Sequence, residues 1–421
     1  MITHVLVEKV LVEGAWLFNQ VLSIENGVFK SINGYSLVGD EVKANISQHI
    51  KGTLLPGYVD TQVNGGGGVM FNHAPSYDSL KTMAEAHLQF GTTTLFPTLI
   101  TDDIDTIERA ADAISNAIAN KHASIAGVHF EGPHLSVEKK GVHLPRYIRK
   151  LSEREMATYT RKDIGQVIVT VAPENVSSDV IRELVGHGVI VALGHSNAPY
   201  HVVEKALEAG ATGFTHLFNA MSPLTSREPG MTGAALLHNS TCGIIVDHQH
   251  VHPKTVELAF KAKGPNQLML VTDAMAHVGS SESRIAFFDT HITRTGNKLT
   301  TPDGTLAGSC LDMHSALTNC VNDIRISLKD ASVMASTTPA VFTKIHDRVG
   351  DIASGKAANF VVLDGTNTLC QVWLQGTQKF TYSEEQCEGS NNRTSENSND
   401  KSEHKTPPNE VSNYQSSDSI E

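Results

Sequence analysis

Two kinds of apolar periodicity alternate along the chain. Residues 1 to about 52 alternate apolar and polar positions with period two, as in VLVEKVLV and VLSIENGVFKSI, which predicts β-strands, and Glu25-Asn26-Gly27 reads as a hairpin turn. From Leu54 the pattern changes to short apolar runs bounded by Gly or Pro. The runs are LLPGYVDTQV, TTTLFPTLI, IAGVHFEG, VIVTVAP, VIVALGHS, GFTHLFNA, CGIIVDHQHV and LMLVTDAM. Between them lie segments of helical spacing such as SYDSLKTMAEAHLQF, DIDTIERAADAISNAIA, SSDVIRELVGHG and HVVEKALEAG. Eight β-then-α units, with strands too apolar to have a wet face, predict an α/β fold, a (β/α)8 TIM-type barrel. A doubly wound open sheet is the structural alternative. After the barrel, GKAANFVVLD and TLCQVWLQGTQKF return to the strand pattern. They are expected to join the N-terminal strands in a small β-sandwich domain built from both chain ends.

The pattern stops at Ser383. The last 39 residues hold only Cys387, Val411, Tyr414 and Ile420 as apolar residues, too few to offset the entropy of ordering. Their nine acids against three bases supply half of the chain's net charge of −12, so a disordered, solvated acidic tail is expected. The organisation read from sequence is therefore residues 1–52 plus 350–382 as the small β domain, 53–349 as the barrel, and 383–421 as the tail.

Charge and composition narrow the function. A net −12 over 421 residues leaves no basic footprint for nucleic acid and disfavours anionic membranes. No run approaches the roughly 20 apolar residues that span a bilayer, and MITHVLVEKVLVEG is broken by Glu8, Lys9 and Glu13, which argues for a cytoplasmic protein. The five cysteines (Cys242, Cys310, Cys320, Cys370, Cys387) are scattered without a CxxC, pointing to neither a disulfide framework nor a thiolate zinc site. Histidine, with 21 copies, is the conspicuous surplus.

In a β/α barrel, chemistry gathers at the C-terminal ends of the strands. The polar residues there are Gln62 and Asn64 on the first strand, His129 and Glu131 on the third, and His195 on the fifth. His216 and Asn219 follow the sixth, Asp247, His248 and His250 the seventh, and Asp273 the eighth. Any one of them alone is more readily a loop-anchoring hydrogen bonder. Together, Glu131, His195 and His216 offer one carboxylate and two imidazoles, a three-ligand set that leaves a position open on a divalent ion. Asp273 is then placed as general base for a water activated by that ion, implying hydrolysis of a polarised carbonyl. The glycine run Gly65 to Gly68 reads as a turn rather than a phosphate cradle, because no Lys-Ser/Thr follows it. Arg227, in SPLTSREPG, is a candidate anion clamp whose plain alternative is a surface arginine. His134, His143, His252 and His277 also fall in the expected mouth loops.

The motifs PGYVDTQVNG, GVHFEGPHL, KKGVH, ALGHSNA, THLFNAMSPLTSREPG, VDHQHVHP, LVTDAM and TLAGS, in this order, resemble those of the N-acetylglucosamine-6-phosphate deacetylases, within the amidohydrolase superfamily. The resemblance spans roughly residues 1–380. It implies Glu131, His195 and His216 as metal ligands and Asp273 as the catalytic aspartate, which takes a proton from the attacking water and delivers it to the departing amine. It implies that His143 bonds the acetyl carbonyl, that Asn219, Ala220, Arg227 and His250 hold the sugar phosphate, and that Leu306, Ala307 and Gly308 line the substrate. Counterparts of Arg227 and His250 reach into the neighbouring subunit's site in that family, so a homodimer is implied.

The first strand reads Gln62-x-Asn64 where binuclear relatives carry His-x-His, so one divalent metal ion per subunit is expected, zinc before iron or another ion. His134 and His277 stand where the family pattern does not demand a histidine and could add a ligand, although satisfied loop histidines are the simpler reading. The activity implied is deacetylation of N-acetyl-D-glucosamine 6-phosphate to D-glucosamine 6-phosphate and acetate in amino-sugar catabolism. The rivals are the N-acetylgalactosamine 6-phosphate isomer, another amidohydrolase substrate, and a catalytically silent barrel serving as a binding module.

Overall fold

All eight apolar runs become barrel strands in the computed structural model, which describes Ile2–Tyr382; the expected acidic tail over 383–421 lies outside the described residues. The strands are β1 (Tyr58–Val63), β2 (Thr92–Ile100), β3 (Gly127–Glu131), β4 (Gln166–Val171), β5 (Ile190–Leu193), β6 (Gly213–Phe214), β7 (Thr241–Ile244) and β8 (Leu268–Leu270). They pair in parallel in sequence order. A parallel bridge from Val63 to Ala274 joins the first strand to the segment after the last, and Asn64 N–H donates to Ala274 O at 2.8 Å. Buried on both faces, these strands need no polar alternation, which is why they read as continuous apolar runs.

The helices between them begin where the sequence supplies a cap. Ser76, Asp103 and Ser177 accept from the backbone N–H three residues on, starting Tyr77–Leu88, Ile104–Ala119 and Ser178–Gly186. Ser152 and Glu155 form a reciprocal capping box ahead of Glu153–Tyr159. Helix Ile104–Ala119 buries Ile107, Ala110, Ala111, Ile114 and Ala117 on one face, and that stripe packs into the barrel's outer core.

Both chain ends meet as expected. Strands Ile2–Val12, Ala15–Glu25, Val28–Gly34 and Ile46–Pro56 join Phe360–Leu363, Leu369–Leu374 and Thr377–Thr381 in one hydrogen-bonded seven-stranded sheet. Its core, with Val5, Val7, Leu22, Phe29, Phe360 and Trp373, is separate from that of the barrel. At the hairpin Asn26 (φ 53°) and Gly27 (φ 78°) both adopt the left-handed backbone that a two-residue turn demands. A three-stranded antiparallel insert, Arg284–Phe287, Thr290–Thr295 and Lys298–Thr300, which the apolar pattern does not signal, lies between β8 and the final helices.

Candidate active site

Glu131 ends β3, whereas His195, His216 and Asp273 lie just beyond β5, β6 and β8. The last three adopt left-handed backbone, with φ of 48°, 31° and 51°. That conformation is uncommon for residues bearing a Cβ, and the surrounding packing must hold it. Gly194 permits one such approach: a Cβ there would sit 2.9 Å from the Thr170 side chain and 3.0 Å from that of Thr215.

The turned side chains converge. His216 Nε2 lies 3.0 Å from both Glu131 Oε1 and His195 Nε2, and His195 Nε2 is 3.2 Å from the same carboxylate oxygen. All three residues are buried. His195 Nδ1 donates to Lys139 O at 2.8 Å, which fixes the tautomer and leaves the Nε2 lone pair aimed at the centre. Two imidazole nitrogens facing each other beside a carboxylate oxygen suit a cation between them. Burial alone would raise the Glu131 carboxyl, but its bonds to His195 and His216 outweigh that and hold it well below the usual carboxylate range. Among the described residues this is the one group of three or more His, Cys, Asp or Glu side chains that could hold a metal ion. The donor set, one oxygen and two nitrogens, fits a divalent ion with a position left open.

Asp273 stands beside this centre. Its Oδ1 accepts from Asn64 Nδ2 at 2.7 Å and from Gln62 Nε2 at 3.2 Å, and the same Gln62 nitrogen donates to Glu131 Oε1 at 3.0 Å. The first-strand amides thus tie the Asp273 and Glu131 carboxylates together. Burial and the neighbouring Glu131 charge push the Asp273 carboxyl up to about 6. A group so poised can accept and return a proton near neutral pH.

His143 closes another side of the cavity. The Thr101 N–H donates to its Nδ1 at 3.3 Å, and Thr101 Oγ1 lies 2.8 Å from the same nitrogen. A backbone N–H has no alternative orientation, so Nδ1 is an acceptor and the ring proton resides on Nε2. Burial, reinforced by His195, lowers His143 to about 3, so the imidazole is a neutral donor. Beneath the centre, His129 donates from Nδ1 to Thr61 O at 3.0 Å and pairs through Nε2 with Thr170 Oγ1 at 2.7 Å. Thr170 in turn meets Thr215 Oγ1 at 2.7 Å, a layer of satisfied polar groups that supports the strand ends carrying Glu131 and His216.

The structure gathers Glu131, His195, His216, Asp273, His143, Asn219, Ala220, His250, Leu306 and Gly308 around one cavity of about 170 Å³. His250 faces the cavity of its own chain, its Nδ1 donating to Asp247 Oδ2 at 2.7 Å. Ala307 is buried in the core behind its two neighbours instead of lining the cavity. Arg227 is exposed on its loop and outside this cavity. His134 is a loop anchor, with Nδ1 2.9 Å from Arg149 O and Nε2 3.4 Å from Tyr159 Oη. His277 is buried with neither ring nitrogen hydrogen-bonded and stands apart from the ligand group. The glycine run is a tight hairpin whose N–H groups are engaged, Gly67 with Val278 O and Gly68 with Ala276 O, leaving no cradle for phosphate. Sequence reading overlooks Thr101; its signal is its place, immediately after β2, at the same barrel end as Glu131, His195 and His216.

The model of the amidohydrolase family matches residues 53–394. An N-acetylgalactosamine-6-phosphate deacetylase of Shewanella sp. strain ANA-3 is 47% identical over 87% of this chain and 93% of its own length. An N-acetylglucosamine-6-phosphate deacetylase of Haemophilus influenzae is 40% identical over 73% of this chain and 82% of its own. The crystal structure of N-acetylglucosamine-6-phosphate deacetylase from Pasteurella multocida superposes with a TM-score of 0.85 at 33% identity, covering 90% of this chain and all of that one.

Proposed function

The chain belongs to the amidohydrolase family, and from that premise we propose that it hydrolyses the acetamide of N-acetyl-D-glucosamine 6-phosphate, giving D-glucosamine 6-phosphate and acetate in amino-sugar catabolism. The observation that carries this reading is the meeting of Glu131 and two imidazole nitrogens beside an aspartate whose carboxyl is poised near neutral pH. Glu131, His195 and His216 would hold one divalent ion per subunit, zinc by preference given the nitrogen and oxygen donors. That ion supplies Lewis-acid polarisation of the acetyl carbonyl and lowers the pKa of water.

The chain's own residues do the rest. Asp273, anchored through Oδ1 by Gln62 and Asn64, uses Oδ2 to take the proton from the attacking water and then passes it to the departing amine. His143 donates its Nε2–H to the acetyl oxygen as negative charge grows there, stabilisation commonly worth a few kcal/mol. Asn219, Ala220 and His250 hold the sugar phosphate, and Leu306 and Gly308 shape the opposite wall with Ala307 packed behind them. Arg227 supplies the phosphate clamp to a neighbouring subunit in a homodimer. Its exposed guanidinium, with no ion pair among the described residues and outside its own cavity, supports that assignment. A cytoplasmic location fits the free thiols of Cys242, Cys310 and Cys320, and among the described residues no helix is long and apolar enough to cross a membrane.

The 47% identical Shewanella relative favours a second reading, with the galactosamine epimer as substrate. Acetate release measured on both N-acetylhexosamine 6-phosphates, and on each sugar without its phosphate, tests the proposal. Turnover of one phosphorylated epimer with much lower kcat/KM for the free sugar is expected. Equal values with and without phosphate would remove the phosphate assignment, and no release from any of them would remove the activity.

A further inference from the structure

At the opposite end of the barrel from the chemistry, a second cavity of about 320 Å³ opens between the N-terminal ends of β2 and β3 and the seven-stranded sheet. Thr94 lies at its base, seven residues before Thr101 on the same chain segment. At about 3.3 Å per strand residue, that places it roughly 23 Å from the catalytic mouth.

The polar groups at this cavity are donors short of acceptors. Thr94 is 2% exposed, and its Oγ1 makes no hydrogen bond. Asn359 is 5% exposed; its Oδ1 accepts from Gln375 N–H at 2.8 Å, while among the described residues its Nδ2 donates to nothing. His122 accepts through Nδ1 from Ser124 N–H at 3.3 Å, which places its ring proton on Nε2. Lys121 forms no ion pair among the described residues, and Arg348 has only Asp347, at 3.9 Å. No Asp or Glu lines the cavity. A buried hydroxyl left unsatisfied beside two cations and an amide nitrogen with no acceptor form an arrangement that an oxygen-rich anion would complete.

We propose that the cavity bounded by Thr94, Lys121, His122, Arg348 and Asn359 is a second anion site, taking the phosphate group of a small phosphate monoester or inorganic phosphate. Two cations match the charge of roughly −1.5 to −2 that a phosphate monoester carries near pH 7, which a carboxylate would not. The apolar wall of Ile118, Ile125 and Val349 leaves room for a compact body behind the phosphate. Because the lining comes from both the barrel and the sheet, an occupant bridges them and stabilises the fold.

The test uses the full chain, K121E/R348E as the charge reversal, and T94V as a near-isosteric removal of the buried hydroxyl. Both charged residues are exposed, so the reversal leaves the fold intact. Calorimetric titration with inorganic phosphate and with glucosamine 6-phosphate is expected to show one equivalent more in the wild type than in K121E/R348E. The variant's deacetylase kcat/KM should be unchanged at low phosphate. T94V should weaken the additional equivalent about tenfold, the loss of one hydrogen bond to a charged group. Phosphate should raise the wild-type Tm and leave that of the reversal unmoved. Binding of inorganic phosphate without glucosamine 6-phosphate at the additional site would identify the free ion as occupant, and the converse would identify the ester. The same stoichiometry and the same Tm rise in wild type and K121E/R348E would overturn the proposal. So would a phosphate response lost only on Asn219→Ala or His250→Ala, which would assign it to the catalytic cavity. The phosphate arm reads out whether or not the chain deacetylates a hexosamine phosphate.

Discussion

Thr101 fixes the tautomer of His143: its backbone N–H and its hydroxyl both converge on Nδ1, at 3.3 and 2.8 Å, leaving Nε2 as the donor facing the cavity. Thr101→Val keeps the N–H but removes the hydroxyl. The expected outcome is a fall in kcat of about tenfold with KM little changed, the worth of one hydrogen bond, and recovery in Thr101→Ser. Steady-state kinetics of the three proteins decide it; a rise in KM alone would mean that Thr101 shapes the pocket without orienting the ring.

His216→Ala removes one of the two nitrogens at the proposed metal centre. Loss of stoichiometric bound metal by elemental analysis is expected, together with loss of activity. A chelator should do the same to the wild-type protein and lower its Tm. Full metal occupancy in the variant would displace the centre from these residues.

Asp273→Asn retains the shape of the side chain but not its ability to take a proton. Turnover should fall by about 10²–10⁴-fold, the usual contribution of a positioned general base. Metal content should remain that of the wild type, since Asp273 stands outside the ligand group. Activity surviving intact would assign proton transfer elsewhere.

Asp60 sets a pH dependence of stability. It is wholly buried inside the barrel, accepting from Thr272 Oγ1 at 2.5 Å and Gln62 N–H at 3.1 Å, and burial pushes its carboxyl up to about 7. In the unfolded chain it titrates near 3.9. Between about pH 4 and 7 the unfolded state has released a proton that the native state keeps, so this group's contribution to stability declines as pH rises through that window. Asp60→Asn lacks the titration. From pH 4 to 8 the stability difference should move in favour of the variant by about 4 kcal/mol, read from urea unfolding at each pH. A difference independent of pH would show that Asp60 is ionised in the native state throughout.

How much of this was written in the sequence depends on the range of the physics involved. The eight strands were legible because burial on both faces makes Thr92–Ile100 or Gln166–Val171 apolar throughout, a property of neighbouring residues. Candidate ligands followed from a rule of place, the C-terminal strand end, which picks out Glu131, His195 and His216 without any distance being known. The bridging of Glu131 and Asp273 by Gln62 was not legible, since it depends on two strands far apart in sequence being closed against each other. The left-handed backbone of His195, His216 and Asp273 was hidden too, because packing imposes it against local preference. The position of Arg227 outside its own cavity was equally out of reach, for residue type reports a charge and not a direction.

The sheet built from both termini carries a further consequence. Strand Ile46–Pro56 is hydrogen-bonded on one side to Ile2–Val12 and on the other to Phe360–Leu363, with Thr53 opposite Leu363. A ribosome adding about 5–20 residues per second needs some tens of seconds to supply that last partner. Until then the early strands expose a bare apolar edge, the kind of surface that pairs with other chains. The nascent protein therefore has an interval of aggregation hazard determined by its own topology, and any truncation ahead of Phe360 would make that interval permanent.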